Sequence, residues 1–304
     1  MSFNRSVQRL ELDWYAPGAT DYLTFSLRPP FVLKSFDGLD YIPVNPNLLK
    51  GPGQIGQSLS DISIDGRTIT LTLHLFADTE EIAWTQRELL SARSATVPLN
   101  PWKNAFPKLG VLRAWRPGYF DMPLDIDAIV SKGPIFDTVA QGWYMVSISF
   151  FCPFPFWRQW LSNSVLLASA GGFVWPINIS PFIINSYNVQ QEIINPGTVP
   201  SPLLIQIFGD ITSPRITNLT TGESIEILQQ VPPGSYYEIN TAYGRKSVYL
   251  VDSAGTRTNV INRINLSRAN FFQLQPGSNI IKLDSAANAS GSAKLGWTQL
   301  VAGI

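Results

Sequence analysis

The chain has 304 residues, enough at about 150 per domain for about two domains, each able to bury a core without disulfides or metal. Charged residues are 14% of it, against about a quarter in ordinary globular domains, while apolar residues reach 45% and aromatic residues 12%, which excludes intrinsic disorder. Lys+Arg and Asp+Glu are both 22, and no basic run exceeds the pair Arg245-Lys246, so a protein that grips nucleic acid through its phosphates is excluded too.

A single cysteine, Cys152, rules out an internal disulfide, and a single histidine, His74, rules out a His-rich metal site. Met1 is followed by Ser2-Phe3-Asn4-Arg5 with no apolar signal segment, which points to synthesis in the cytoplasm. The charge-free stretch from Trp160 to Gln191 is broken by Gly171, Gly172, Pro176 and Pro181, so it does not read as a membrane span and no membrane insertion is expected. Low charge, 23 prolines and a mean hydropathy of +0.06 together suggest apolar surface destined for a partner, and hence obligate assembly.

In chain order, Ile62-Ser63-Ile64, then Asp65-Gly66, then the alternating run Thr68 to Phe76 predict a hairpin over 61–76. Ile69, Leu71, Leu73 and Leu75 would face inward, with Thr68, Thr70, Thr72 and His74 opposite. The segment after Asp78 is the one convincing helix, with Asp78 as its cap, Glu81 three residues on, and Ile82, Leu89 and Leu90 on one face to about Ser94. Pro98, Pro101 and Pro107 with Trp102, Phe106 and Trp115 make an aromatic connection. It leads to strands at Leu124–Val130 and Trp143–Phe151, the latter stopped by Pro153 and Pro155. The C-terminal part carries short strands with frequent turns: Leu203–Phe208, Ile225–Ile227, Tyr237–Ile239, Ser247–Leu250, Phe271–Leu274, Ile280–Leu283 and Gly296–Leu300. The fold class is therefore mainly β. An N-terminal sheet or sandwich with one packed helix spans 1–160, an apolar Gly/Pro-broken connector 161–192, and a C-terminal β-sandwich 193–304.

Catalytic and phosphate-binding signatures of the G-x-S-x-G, H-E-x-x-H, Walker and C-x-x-C types do not occur in the sequence. His74 lies in a strand among threonines, which suits a structural or interfacial role better than a general base. Asp125 and Asp127 share one strand face but nothing nearby in sequence would raise the pKa of one alone, as glycoside hydrolysis needs. Cys152, between Phe151 and Pro153, reads as an inert buried thiol. Tyr236, Tyr237, Tyr243, Tyr249 and Trp297 could stack on sugars but fit core and rim packing better. Asp65, Asp210 and Asp252 fall in isolated turns without the clustered oxygens calcium requires. No catalytic, cofactor-binding or metal residue is assigned, no cofactor is implied, and the chain is not expected to be an enzyme.

Asn195-Pro196-Gly197-Thr198, Pro202 to Gly209, Pro214-Arg215-Ile216-Thr217-Asn218, Thr221-Gly222, Tyr237-Glu238-Ile239, Asn270 to Ile281 with its Pro276-Gly277-Ser278-Asn279 turn, and Gly296-Trp297 occur in this order. Together they resemble the siphophage distal tail protein family. Gly66-Arg67 before the alternating strand, the single helix and Phe150 to Trp157 resemble that family's ring domain and exit strand. Phe154 and Phe156 stand where the family often has an acidic residue and a tyrosine. The resemblance implies a galectin-like C-terminal sandwich and a ring domain forming a homo-oligomeric, hexameric ring at the tail tip or baseplate of the virion. The ring would join the tail tube protein to the baseplate hub or tail-associated protein, with outward C-terminal domains as attachment points for receptor-binding or adhesion proteins. DNA would pass through without sequence-specific contact. The alternative is a carbohydrate-binding baseplate or host-adhesion protein.

Overall fold

The computed structural model describes residues 10–95, 109–117, 122–159, 162–168, 188–285 and 290–304. The aromatic connection around Trp102 and Phe106, and the apolar stretch 169–187, lie outside them. The chain divides into two compact units, Met1–Trp160 with Val301–Ile304, and Leu161–Leu300.

The first unit is a sheet covered by one helix. Its strands are β1 (Glu11–Tyr15), β2 (Leu23–Phe25), β3 (Phe31–Asp37), β4 (Val44–Leu49), β5 (Ser58–Ile64) and β6 (Arg67–Phe76). Helix α1 (Glu80–Ser94) follows, then β7 (Gly110–Trp115), β8 (Leu124–Ala140), β9 (Trp143–Cys152) and β10 (Trp157–Gln159). The main sheet runs β2-β1-β7-β8-β9-β6-β3. In β6 the alternation predicted from sequence is obeyed residue by residue: Ile69, Leu71, Leu73 and Leu75 are completely buried, while Thr68, Thr70, Thr72 and His74 look the other way. Each such buried side chain contributes about 1.5–3 kcal/mol relative to an exposed one, which locks the register because a one-residue slip would expose all four. Trp14 packs on Phe150 with ring centroids 4.8 Å apart, and its Nε1 donates to the Arg93 carbonyl at 3.0 Å, tying the last turn of α1 to the core.

Two sequence expectations are corrected here. Asp65-Gly66 is not a hairpin turn: β5 pairs with β4, whereas β6 pairs with β3 and β9. A two-residue primed turn needs positive φ at both central positions (type I′) or at the first (type II′), and neither Asp65 nor Gly66 has it. Gly66 serves close approach instead, since a Cβ there would meet Phe151 Cζ at 2.6 Å. The helix cap is Thr79, not Asp78; its extended backbone (φ −134°, ψ 156°) lets Oγ1 accept from Ile82 N at 3.3 Å. Ala83, Leu90 and Ser94 are the buried helix positions, and Ile82 and Leu89 flank that stripe with part of their surface exposed.

The second unit is a two-sheet sandwich. Its strands are β11 (Asn163–Ala168), β12 (Asn188–Asn195), β13 (Leu203–Asp210), β14 (Arg215–Asn218), β15 (Glu223–Glu226), β16 (Tyr236–Asn240), β17 (Ser247–Val251), β18 (Arg257–Asn259), β19 (Gly277–Asp284) and β20 (Ser290–Trp297). A sheet of order β11-β20-β13-β16-β17-β18 faces one of order β12-β19-β14-β15. Ile205, Ile207, Tyr237, Ile239, Ile281, Leu283 and Leu295 fill the space between them. Residues 163–168 and the 188–192 part of β12, inside the expected connector 161–192, are strands paired with β20 and β19. Their apolar composition is that of sandwich strands. Phe271–Leu274, expected as a strand, forms only an isolated bridge from Leu274 to Ser201.

Candidate interaction surfaces

The residues that could have carried chemistry are occupied structurally. His74 Nδ1 accepts from Trp143 Nε1 at 2.8 Å, and its ring stacks at 5.7 Å on Phe76, which in turn stacks on Trp143 at 5.4 Å. Burial, and then the Lys34 charge, hold the imidazole below its usual pKa. Nδ1 accepts only while unprotonated, so proton uptake removes the Trp143 bond. Because the folded-state pKa is depressed, His74 contributes stability above the unfolded value of about 6.5 that is lost as pH falls through the folded pKa. We expect the wild-type chain to lose thermal stability on acidification below about pH 6.5, with a change in tryptophan emission. In His74→Gln this component should be absent, and an unchanged acid profile in that variant would refute the assignment.

Asp125 and Asp127 do not act as a pair, because each is held by its own arginine. Arg113 donates to both Asp125 oxygens at 2.7 and 2.9 Å, and Arg158 to both Asp127 oxygens at 2.5 and 2.6 Å. Such bidentate clamps satisfy both carboxylates and fix β7, β8 and β10 in register. Cys152 is fully buried opposite Arg67, and burial pushes its thiol up to about 12 despite the nearby guanidinium, leaving almost no thiolate at neutral pH.

The turn aspartates serve the backbone or a neighbour. Asp252 Oδ1 accepts from Ala254 N and Thr256 N at 2.9 and 2.8 Å. Asp210 accepts from Gln230, and Asp65 from Asn45. Among the described residues no group of three His, Cys, Asp or Glu side chains is placed to hold a metal ion. No described helix is long and apolar enough to cross a membrane. Tyr237 is core and Tyr236 leans on Phe208 at 4.8 Å. Tyr249 lies 5.4 Å under Arg257, which pairs with Glu238, and Gln206 Nε2 donates to the same carboxylate at 3.1 Å.

Among the described residues, several large exposed apolar side chains gather on a feature of which the sequence showed one strand but not its pairing. Strands β4 and β5 form a two-stranded ribbon, separate from the main sheet, in which every strand residue is exposed. Across it Val44 opposes Ile64, Pro46 opposes Ile62 and, past an irregularity, Leu48 opposes Leu59, making one apolar face. Asn45-Ser63 and Asn47-Asp61 make the other face polar. The sequence signals were the alternation Ile62-Ser63-Ile64 in β5 and the glycines Gly51, Gly53 and Gly56 clustered at the tip.

Comparison with known proteins gives this architecture a context. A search of curated protein sequences returns no match. The model of the siphovirus-type tail component, C-terminal domain, matches residues 196–299. Among solved structures, SPP1 Dit (gp 19.1), described as a paradigm of the hub adsorption apparatus in phages infecting Gram-positive hosts, is similar with a TM-score of 0.62 at 11% identity, over 96% of this chain and 98% of that one. A chain of the phage P2 baseplate in its activated conformation with Ca aligns over 97% of this chain and 99% of that one at 12% identity, with a TM-score of 0.46. Residues 196–299 thus match the siphovirus-type tail component, C-terminal domain, and the chain as a whole shares its fold with SPP1 Dit.

Proposed function

We propose that the chain is a structural, non-enzymatic ring subunit. Six copies close around a channel at the tail tip, join the tail tube protein to the baseplate hub, and present their C-terminal domains as attachment points for adhesion proteins. The observation that carries this reading is that the likeness to SPP1 Dit runs through both units, so the N-terminal unit as well as the matched C-terminal domain has a tail-hub fold. The chemistry of the outward face of the β8-β9-β6-β3 region agrees with a passage for DNA. Thr70, Thr72, Ser147 and Ser149 sit there side by side, Thr70 Oγ1 lying 3.1 Å from Ser149 Oγ, and the flanking charges Lys132, Asp37 and Asp137 are of both signs. A hydroxyl surface of this kind offers phosphates no cation cluster to bind.

A second reading, glycan binding, draws on the Gln206–Glu238–Arg257–Tyr249 network on the outward face of the larger C-terminal sheet, where planar hydrogen-bonding groups lie beside an aromatic ring. Light scattering and negative-stain imaging of the full chain decide the first reading, with a closed six-fold ring as the expected result. A monomer in solution that is also absent from the tail tip of intact particles would overturn it. Retention on a glycan surface without ring formation would favour the second.

A further inference from the structure

The first unit contains a groove of about 500 Å³ between β2, the segment leading into β3, and α1. That volume lies within the range of small-molecule sites, about 300–1,000 Å³. The elements around it are braced. Ser26 N donates to the Phe31 carbonyl at 3.3 Å and Leu33 N to the Ser26 carbonyl at 2.6 Å, which closes the loop between β2 and β3. Phe31, which lines the groove, is buried and meets Phe25 edge to face at 6.1 Å. Arg93, in the last turn of α1, donates to Asp21 at 2.6 Å, the residue before Tyr22 in the groove wall. A ligand would therefore meet a preformed site and spend little on ordering it.

Four side chains lining the groove have hydrogen-bonding capacity that the chain does not use. Ser26 is 4% exposed; its Oγ accepts from Arg28 N at 3.1 Å, and among the described residues no group takes its hydroxyl proton. The Tyr22 hydroxyl, the Gln86 amide and the Arg28 guanidinium likewise have no hydrogen-bond partner among the described residues. Hydroxyl and amide groups both donate and accept, which matches ligand hydroxyls, themselves donors and acceptors. A carboxylate or phosphate ligand calls for an excess of positive charge, and here the charge of Arg28 is offset by Glu11 in the same lining. A wholly apolar ligand would strand all four groups. Pro29, Leu89 and the half-exposed ring of Tyr22 add apolar surface, and a flat ring with a polar tip suits the C–H face of a sugar.

We infer that this groove is a binding site for a neutral disaccharide. The Arg28 guanidinium and the Gln86 amide take neighbouring sugar hydroxyls, Ser26 donates to a further oxygen, and Tyr22 and Leu89 carry the C–H faces. The site belongs to the other unit from the Gln206–Glu238–Arg257–Tyr249 network, and it rests on neither reading given above.

The test is saturation-transfer NMR and calorimetric titration of the full-length chain with maltose, cellobiose and lactose. At least one should bind with a Kd of about 1 mM. Arg28→Ala with Gln86→Ala, shown to be folded by circular dichroism, should weaken that binding about tenfold or more, because it removes two of the groups that hold the sugar. Leu89→Arg, a change at an exposed helix position, should abolish it by filling the groove. No binding of any of the three sugars at about ten times that concentration would overturn the proposal. So would displacement of the sugar by sodium acetate or phosphate, which would make Arg28 the centre of an anion site. Binding that survives both groove variants and is lost in Glu238→Gln would overturn the groove and move the sugar to the network of the second unit. A capped tetraproline peptide that binds where the sugars do not would mean the groove takes an extended chain instead.

Discussion

Replacing Arg67 with alanine should lower the stability of the first unit by about 3–4 kcal/mol, a drop in its melting temperature of roughly 10 °C. The side chain is 1% exposed, and among the described residues no carboxylate lies within ion-pair distance of it, Asp40 acting on it only from further away. Nη1 donates to the Leu39 carbonyl at 2.7 Å and Nη2 to the Ala302 carbonyl. Burial pulls the pKa of the guanidinium down, but an arginine stays protonated in proteins, so two carbonyl groups take the place of a counter-ion. Alanine would leave a large cavity and deprive two carbonyls of their donor. Arg67→Met should lose less, because it refills the volume and removes the desolvated charge. Since Ala302 belongs to the returning segment Val301–Ile304, deleting that segment should cost the wild-type chain more than it costs Arg67→Ala. Additive losses in differential scanning calorimetry would show that the guanidinium does not hold the C-terminus.

The role of Arg67 was hidden in the sequence because its partners are 28 and 235 residues away, and a charged residue opening an alternating strand looks like a surface position. The strand itself was legible. A face that is wholly buried leaves a strict period of two, and Ile69 to Leu75 kept it. The ribbon was only half legible. Ile62-Ser63-Ile64 alternates and is the end of β5, but its partner β4 is buried on neither face, is interrupted by Pro46 and loses its alternation at Leu48. Asp65-Gly66 then drew the hairpin to the wrong place, because dipeptide chemistry states what a turn can be and not which strands it joins. Asp125 and Asp127 were rightly placed on one strand, yet their roles depend on Arg113 and Arg158, which only the pairing of β7 and β10 with β8 brings near.

In the second unit the same test applies to a residue that carried the family resemblance. Asn279 is fully buried at the start of β19, just after the turn at Gly277, whose φ of +88° suits a residue without a side chain. Its Nδ2 donates to the Gln275 carbonyl at 2.7 Å and the Gly277 carbonyl at 3.1 Å, while Oδ1 accepts from Gln275 N at 2.9 Å and Asn218 Nδ2 at 3.1 Å. One side chain thus closes the turn on itself and ties β19 to the end of β14. Asn279→Ala would strand the fully buried Asn218 amide, at about 1–3 kcal/mol, and leave the half-buried Gln275 amide without its partner, at less, so we expect a loss of about 2–4 kcal/mol in this unit. Hydrogen exchange should accelerate at Gln275 and in β19, and the first unit should be unaffected. Adding Asn218→Ala removes the second orphan, so the double variant should lose less than the sum of the singles. A melting shift under about 2 °C for Asn279→Ala would mean the turn is held by its backbone alone, and Pro276-Gly277-Ser278-Asn279 would then be a sequence signature without this mechanical role.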